Sequence, residues 1–333
     1  MSIVVTGGAG YIGSHMVWAL LDEGEDVIVV DNFATGFRWA LPSEVKLCEG
    51  DIGDGKFLQR VFSENKIEAI FHFAGSAIVP ESVTNPLKYY DNNTGKSRNL
   101  IELSIRSGIK YFIFSSTAAV YGTPDDLSSV SEDRVLRPES PYGHSKLMTE
   151  LMLRHAADAH DLTYTILRYF NVAGADPKGR AGQSTMNATH LIKSACATAL
   201  GLRPVIEIYG TDYETFDGTC IRDYIHVTDL VHAHLLSLKR MRSGGGSLIA
   251  NCGYGQGYSV LEVIRAVEAA NDGIRLPVTY ATRRAGDAMM VVANPSLAKR
   301  ELEWEPRYAD LNDIVQSALS WERSLLKKNS AWG

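Results

Sequence analysis

Several features that would indicate a metal-, membrane- or nucleic-acid-directed protein are absent from this 333-residue sequence. Its four cysteines are scattered and form no C-x-x-C pair, which argues against a disulfide or zinc framework and favours reduced thiols in the core. The formal net charge is −6, so no general nucleic-acid-binding surface is expected. No apolar run approaches the roughly 20 residues that span a bilayer. We therefore expect a cytoplasmic protein with no nucleic-acid or membrane partner.

The composition is that of a globular protein with a large core, since 45% of the residues are hydrophobic and 22% are charged. In the first half, short apolar runs such as residues 27–30 alternate with amphipathic stretches such as residues 11–23 and 87–107. Continuous apolar strands alternating with helices predict a parallel sheet covered on both faces.

After about Asn171 the pattern becomes irregular. We therefore expect an α/β fold with two domains. Residues 1–171 would form a Rossmann-like, doubly wound parallel sheet that binds a cofactor. Residues 172–333 would form mainly a smaller, mixed α/β domain for substrate, with some later segments free to return to the first domain.

A glycine-rich turn at residues 6–13 joins the first predicted strand to the first predicted helix. Its glycines would let the backbone approach a pyrophosphate held at the helix N-terminus. Asp31 ends the second predicted strand, where a carboxylate can accept hydrogen bonds from the adenosine ribose and repel a 2′-phosphate. In this strand–helix context the motif predicts NAD rather than NADP, with a ligand-free structural turn as the alternative.

Tyr142 and Lys146 lie four residues apart near the start of a predicted helix, so their side chains share one face. A free tyrosine has a pKa near 10, and lowering it to about 7 requires roughly 4 kcal/mol of differential stabilisation of the phenolate. Lys146, a positively charged nicotinamide ring and the helix N-terminus can supply this together. The phenolate would then take a hydroxyl proton while hydride leaves the same carbon.

Thr117 follows the fifth predicted strand and is the third candidate catalytic residue. Its hydroxyl can hydrogen-bond the reacting oxygen, and a cap at the strand end is its alternative role. Three histidines, His226, His232 and His234, superficially indicate a metal site. However, His232 and His234 are two apart in a predicted helix and do not share a face, so we expect no metal.

Further motifs follow in order along almost the whole chain. They occupy residues 6–15, 31–32, 50–52, 72–75, 81–83, 89–93, 114–116, 120–122, 140–143, 167–171, 222–227 and 283–287. Together these motifs resemble those of the extended short-chain dehydrogenase/reductase superfamily and, within it, the UDP-glucose (UDP-galactose) 4-epimerases.

The resemblance implies an NAD-dependent isomerase that interconverts UDP-glucose and UDP-galactose in galactose metabolism. NAD would stay bound, hydride would leave C4 of the hexose, and it would return to the other face of a transient 4-keto sugar. The predicted catalytic residues are Tyr142, Lys146 and Thr117. The predicted cofactor-binding residues are Gly7, Gly10, Tyr11, Ile12, Gly13, Asp31, Asn32, Phe33, Ala34, Thr35, Gly36, Asp51, Ile52, Phe73, Ala74, Gly75, Ser76, Asn92, Tyr142, Lys146 and Phe170.

A UDP-sugar is the expected substrate, and a homodimer joined through residues 87–107 and the helix after Tyr142 is the expected assembly. The predicted substrate-binding residues are Thr117, Tyr142, Asn171, His190, Leu191, Tyr209, Arg222, Arg284, Asp287 and Val291. The arginines suit a diphosphate, which needs planar, paired donors on an otherwise acidic protein.

Three positions depart from the family pattern. Ala77 stands near a position where many relatives carry lysine, which removes a positive charge beside the cofactor pyrophosphate. His190 replaces an expected asparagine. Val291 is small where a tyrosine resembles enzymes restricted to plain hexoses, so we expect activity on UDP-N-acetylhexosamines as well, with ordinary packing as the alternative role of Val291.

Three other functions would also use a bound nicotinamide cofactor. A nucleotide-sugar 4,6-dehydratase needs acidic groups beside Thr117, whereas Ala118 and Ala119 cannot transfer a proton. A UDP-pentose 4-epimerase, acting on UDP-xylose and UDP-arabinose, differs only in pocket contacts and stays open. A redox-sensing regulator would bind NAD without chemistry and would have no need of Tyr142 and Lys146 on one helix face.

Overall fold

A computed structural model describes residues 1–124, 126–185, 188–284 and 287–330. For residues 328–330 it describes the backbone and not the side chains. Ala285 and Gly286 of the 283–287 motif therefore lie outside the described residues. In chain order the strands are β1 Ser2–Thr6, β2 Val27–Asp31, β3 Lys46–Glu49, β4 Ile67–His72, β5 Tyr111–Thr117, β6 Thr163–Tyr169, β7 Asn171–Ala173, β8 Ile206–Tyr209, β9 Ile221–His226, β10 Leu248–Cys252, β11 Gly257–Ser259, β12 Val278–Ala281 and β13 Met290–Val291.

The helices frame these strands. In chain order they are α1 Tyr11–Asp22, α2 Gly55–Ser63, α3 Val79–Thr84, α4 Pro86–Tyr89, α5 Lys96–Arg106, α6 Pro141–Ala159, α7 Leu191–Ala199, α8 Val227–Arg242, α9 Val260–Ala270, α10 Ser296–Leu302 and α11 Leu311–Ser330. None of these described helices is long and apolar enough to cross a membrane.

The main sheet has seven parallel strands in the order β10-β6-β5-β4-β1-β2-β3. Alternate residues of β1 face opposite sides: Ile3 and Val5 pack with α1 and α8, whereas Val4 packs with α2, α5 and α6. Helices therefore cover both faces, which confirms the predicted doubly wound fold. Strand β10 pairs with β6, so residues from the second half of the chain return to the sheet.

The smaller, mixed part of the structure lies beyond the carboxyl end of β6. There β9 pairs with β7 and β13 in parallel and with β11 antiparallel, while β8 and β12 form a parallel pair of their own. The parallel pairing of β7 with β9 sets Asn171 opposite Tyr224. This pairing joins the end of the cofactor half to the strand that carries Arg222.

Local sequence explains where the helix of the Tyr142–Lys146 pair begins. Ser140 is the N-cap of α6, and its hydroxyl accepts a hydrogen bond from the Gly143 N–H at 3.2 Å. Pro141 occupies the first helical position, where a missing N–H costs nothing. Both features begin the helix just before Tyr142, which confirms the predicted helix start there.

The expected uninterrupted helix over residues 87–107 is wrong in one respect. Between α4 and α5 the segment Tyr90–Gly95 is π-helical. The extra residue in this turn brings two consecutive asparagines, Asn92 and Asn93, into contact with Ser76. The sequence prediction missed this turn because one inserted residue shifts the apolar pattern by a single position, which is hard to distinguish over so short a segment.

Candidate active site

The glycine-rich turn connects β1 to α1 and leaves little room for side chains. Gly7 has a φ of +68°, and a Cβ there would lie 2.6 Å from the Ala74 backbone nitrogen. A Cβ on Gly13 would lie 2.1 Å from the Gly7 carbonyl oxygen. Gly10 is the N-cap of α1, and no described side chain caps this helix start. The uncapped N–H groups and the crowded turn fit the pyrophosphate of NAD, whose negative charge a helix N-terminus favours.

Asp31 lies beside this turn at the end of β2. Its carboxylate accepts hydrogen bonds from the Ala9 N–H at 2.9 Å and from the Phe33 N–H at 2.7 Å. Burial raises the pKa of its carboxyl group. Each oxygen keeps a second lone pair, so the carboxylate can also accept from ribose hydroxyls. The remaining residues of the predicted segment, Asn32, Phe33, Ala34, Thr35 and Gly36, follow in the loop after β2.

The ends of β3 and β4 supply the next part of the same edge. Asp51 accepts hydrogen bonds from Asn32 Nδ2 at 2.9 Å and from Lys96 Nζ at 2.7 Å. Ile52 is buried in the core behind it. Phe73, Ala74, Gly75 and Ser76 follow β4, as predicted for the carboxyl edge of an open sheet.

The Ser76 segment is held by the π-helical turn. Asn92 Nδ2 donates to Ser76 Oγ at 2.9 Å, and Asn93 Oδ1 accepts from the Ser76 N–H at 2.7 Å. Asn93 Nδ2 also donates to Ser145 Oγ at 3.0 Å, which links the segment to α6. Sequence reasoning missed Asn93, although it stands beside the predicted Asn92.

The structure brings the three candidate catalytic residues together where β5 meets α6. The Thr117 hydroxyl lies within reach of the Tyr142 phenol and lowers its pKa. Lys146 Nζ donates to the Ser115 carbonyl at 2.9 Å and lies 4.9 Å from the centroid of the Phe114 ring. Thr117 Oγ also accepts from the Ala119 N–H at 3.1 Å, so its alternative role as a strand-end cap is real as well.

Burial acts on the phenol and the ammonium in the same unfavourable way, since it disfavours the charged form of each. It raises the pKa of Tyr142, against the hydrogen bond from Thr117 that lowers it. It lowers the pKa of Lys146 to about 8, with the negative charge of Glu150 acting the other way. The chain alone therefore does not acidify Tyr142.

Several of the predicted substrate residues form a charge cluster outside the main sheet. Asp287 forms ion pairs with Arg222 at 2.5 Å and with Arg284 at 2.9 Å. The Arg284 guanidinium lies 4.8 Å from the centroid of the Tyr209 ring. Four predicted residues from β8, β9 and the segment before β13 therefore meet in one place, which we call the arginine cluster (Tyr209, Arg222, Arg284 and Asp287).

Of the other predicted substrate residues, Val291 is the one that the sheet register ties directly to this cluster. Val291 pairs with Arg222 in the sheet register and packs in a small apolar group with Phe170. Asn171 Nδ2 donates to the Asp223 carbonyl at 3.2 Å. His190 and Leu191 begin α7, and the described hydrogen bond of the His190 ring goes to Gln183, not to the arginine cluster.

The described histidines and cysteines do not form a metal site, and no group of three metal-ligating side chains occurs among the described residues. His226 caps α8 by accepting from the Thr228 N–H, and His234 is bonded to Ser115 Oγ at 3.1 Å. All four cysteines are free thiols. A separate pocket of about 370 Å³ lies between residues 175–179 and α11, and no predicted site residue lines it.

A family model, curated proteins and solved structures all match this chain. The family model described as the NAD dependent epimerase/dehydratase family matches residues 3–253. A UDP-glucose 4-epimerase from Azospirillum brasilense is 55% identical and covers 97% of this chain and 92% of its own. A UDP-glucose 4-epimerase from Brucella ovis in complex with NAD is 42% identical, with a TM-score of 0.92, covering 96% and 97%. A UDP-Glc/GlcNAc 4-epimerase from Campylobacter jejuni is 44% identical, with a TM-score of 0.85, covering 97% and 99%.

Proposed function

The chain belongs to the NAD dependent epimerase/dehydratase family, and we propose that it interconverts UDP-glucose and UDP-galactose through a transient 4-keto sugar, with NAD as cofactor. The observation that carries this proposal is the contact of Tyr142 with Thr117, beside the buried Lys146. These residues lie at the carboxyl edge of the main sheet, where the glycine-rich turn also lies. In this proposal the constellation provides a proton acceptor where a nucleotide cofactor and a sugar hydroxyl would meet.

Each half of the site has a proposed task. The pyrophosphate and the adenosine ribose of NAD are held by Gly7, Gly10, Gly13 and Asp31. The rest of the cofactor contacts Asn92 and Phe170. Bound NAD supplies the acceptor and donor of hydride and a positive charge that lowers the pKa of a nearby phenol. Tyr142 then takes the proton of the C4 hydroxyl and returns it, while Thr117 donates to the reacting oxygen and Lys146 stabilises the phenolate.

The arginine cluster binds the UDP moiety in this proposal. Two guanidiniums that share one carboxylate can exchange part of that pairing for diphosphate oxygens, which accept bidentate hydrogen bonds. Asn171, His190 and Leu191 form the remaining wall. In domain terms, residues 1–171 hold the cofactor and the catalytic pair, and residues 172–333 mainly hold the substrate.

The experiment is turnover by the purified protein without added nicotinamide cofactor, combined with mass analysis of the ligand released on denaturation. We expect UDP-galactose and UDP-glucose to interconvert and the released ligand to be NAD. Retained NAD with no epimerisation would contradict the proposal and favour the redox-sensing regulator. A panel that includes UDP-xylose and UDP-arabinose tests the pentose alternative.

A second substrate class follows from Val291. The side chain is small and packs beside Phe170, so the pocket has more room here than a tyrosine would leave. The similarity to a UDP-Glc/GlcNAc 4-epimerase is consistent with activity on UDP-N-acetylglucosamine. Turnover of UDP-glucose with none of the acetamido sugar would contradict it.

We also propose a homodimer. Apolar side chains on α3, α4 and α6, which pack together, are exposed: Val83 by 63%, Leu87 by 77% and Met148 by 42%. Burying them against a second copy would remove this apolar area from water. Sedimentation of Leu87→Glu should then show a monomer where the unmodified chain shows a dimer.

The proposed place of this activity is galactose metabolism in the cytoplasm. The four free thiols suit a reducing compartment, in which cysteines stay unpaired. Fractionation of the source cells tests the location, and loss of growth on galactose in a strain lacking the gene tests the role.

A further inference from the structure

A third side chain stands in line with the catalytic pair on α6. Tyr142, Lys146 and Glu150 follow one another at intervals of four residues and share one helix face. Three consecutive residues of β5 meet them: the Thr117 hydroxyl bonds to Tyr142, the Ser115 carbonyl accepts from Lys146, and Ser116 Oγ donates to Glu150 Oε1. The function proposed above uses the first two contacts and leaves Glu150 without a role.

Glu150 is fixed from its other side by a buried arginine of β6. Arg168 Nη2 donates to Glu150 Oε2 at 2.7 Å and Nε donates to Oε1 at 3.1 Å, and both side chains are no more than 3% exposed. Arg168 Nη1 also donates to Tyr121 Oη at 3.0 Å. The carboxylate therefore has three charge-assisted or hydroxyl donors and little freedom to turn.

A buried ion pair usually contributes little to the stability of a fold, because replacing it with well-packed hydrophobic residues often leaves stability unchanged or raises it. Its position gives the charge another use. Lys146 is buried against a carbonyl and an aromatic ring, and the only described carboxylate that stabilises its charge is Glu150.

The other titratable or charged groups around Lys146 do not hold its proton. On β4, burial keeps His72 neutral, with its pKa lowered to about 3. On α8, His234 reaches Ser115 and has a pKa lowered to about 4 by burial. The phenols of Tyr142 and, on β6, Tyr169 have pKa values raised by burial, and β6 also carries the positive Arg168.

We propose that Glu150 is a positioning residue of this enzyme, whose carboxylate, locked by Arg168 and Ser116, keeps the buried Lys146 protonated next to Tyr142. The inference rests on the proposed function, because the charge of Lys146 is put to use there. Removing the negative charge destabilises the ammonium relative to the neutral amine, so the pKa of Lys146 falls. Lys146 would then lose its proton at a lower pH and stop stabilising the phenolate.

The test is a pH titration of the Lys146 ε-carbon by NMR in purified, cofactor-loaded protein with ¹³C-labelled lysine, assigned through Lys146→Met. In Glu150→Gln we expect the midpoint to fall by about one pH unit. In Glu150→Gln/Arg168→Gln, which leaves no buried arginine without its carboxylate, we expect a smaller fall in the same direction. The double variant keeps the test decisive if the single variant does not fold.

Glu322→Gln is the matched control, because it removes another buried carboxylate, paired with Lys193. It should leave the Lys146 midpoint unchanged. The pH profile of kcat provides a second readout. Its alkaline limb should move to lower pH in Glu150→Gln and stay in place in Glu322→Gln. Midpoints that coincide with the unmodified protein, whatever happens to kcat or thermal stability, would overturn the proposal. Because the titration requires no turnover, this result is distinguishable from a missing epimerase activity.

Discussion

The two halves of the candidate site are built in different ways. The cofactor half comes from the ends of neighbouring parallel strands, and its backbone is packed so closely that a Cβ on Gly13 would collide with the Gly7 carbonyl. The substrate half, the arginine cluster, comes from β8, β9 and the segment before β13, and its guanidiniums are held by a shared carboxylate. The first half therefore has little room to rearrange, whereas in the proposed function the second exchanges ion pairs for contacts with a diphosphate.

This contrast predicts that changes in the first half destroy chemistry or cofactor retention, and that changes in the second half mainly alter KM and selectivity. The largest effect is expected from Tyr142→Phe, which removes the proton acceptor. We expect kcat to fall about 10³-fold, with bound NAD and thermal stability retained. Tyr280→Phe, at a 63% exposed tyrosine, is the control. Undiminished epimerisation in Tyr142→Phe would end the assignment of roles.

The next largest effect is expected from Gly13→Ala. The added methyl group would collide with the Gly7 carbonyl, so the turn must shift away from the pyrophosphate. We expect the purified protein to carry little NAD, with affinity lowered by about 10²-fold. Gly55→Ala is the matched control, since nothing lies within 4 Å of a Cβ there. Full retention of NAD by Gly13→Ala, measured by absorbance after gel filtration, would show that the turn is not rigid.

Arg222→Lys tests the second half. Lysine keeps the charge but loses the planar pair of donors, so we expect KM for UDP-glucose to rise about tenfold with kcat nearly unchanged. Arg283→Lys is the control, because Arg283 pairs with the exposed Asp212 instead of joining the arginine cluster. A fall in kcat without a rise in KM would mean that the two halves are not separable in this way.

The smallest effect is expected from Val291→Tyr. A larger side chain beside Phe170 should reduce kcat/KM for UDP-N-acetylglucosamine about tenfold, and it should change the value for UDP-glucose by less than about threefold. Steady-state kinetics on both sugars measures the ratio. Equal losses on both would show that Val291 serves packing alone.

The same contrast explains what the sequence could predict. The cofactor half was predictable because a strand, a glycine turn and a helix are local, and Asp31 falls at a fixed place in that unit. That Tyr142 and Lys146 share one face of a helix followed from their spacing of four residues. The return of β10 to the sheet and the π-helical turn at Asn93 were not predicted in detail, since the first depends on pairing over a long sequence distance and the second on a single inserted residue.

Within the substrate half, the meeting of Arg222, Arg284 and Asp287 came from family resemblance and not from local pattern. The ion pair between Arg222 and Asp287 joins residues 65 positions apart in sequence, which no periodicity encodes. Glu150 was overlooked for the opposite reason. Its spacing from Lys146 was visible, but a glutamate on a helix is usually solvated, and only the position of Arg168 shows that this one is buried.

The placement of β10 has a consequence for how the protein is made. On the ribosome, β6 emerges long before Leu248–Cys252, the segment that completes the sheet beside it. Until then β6 is an open edge with unpaired N–H and C=O groups, which can pair with another nascent chain. Synthesis halted shortly after residue 171 would leave that edge permanently bare, so a fragment confined to the cofactor half should aggregate even though its glycine turn, its catalytic helix and six of the seven strands are present.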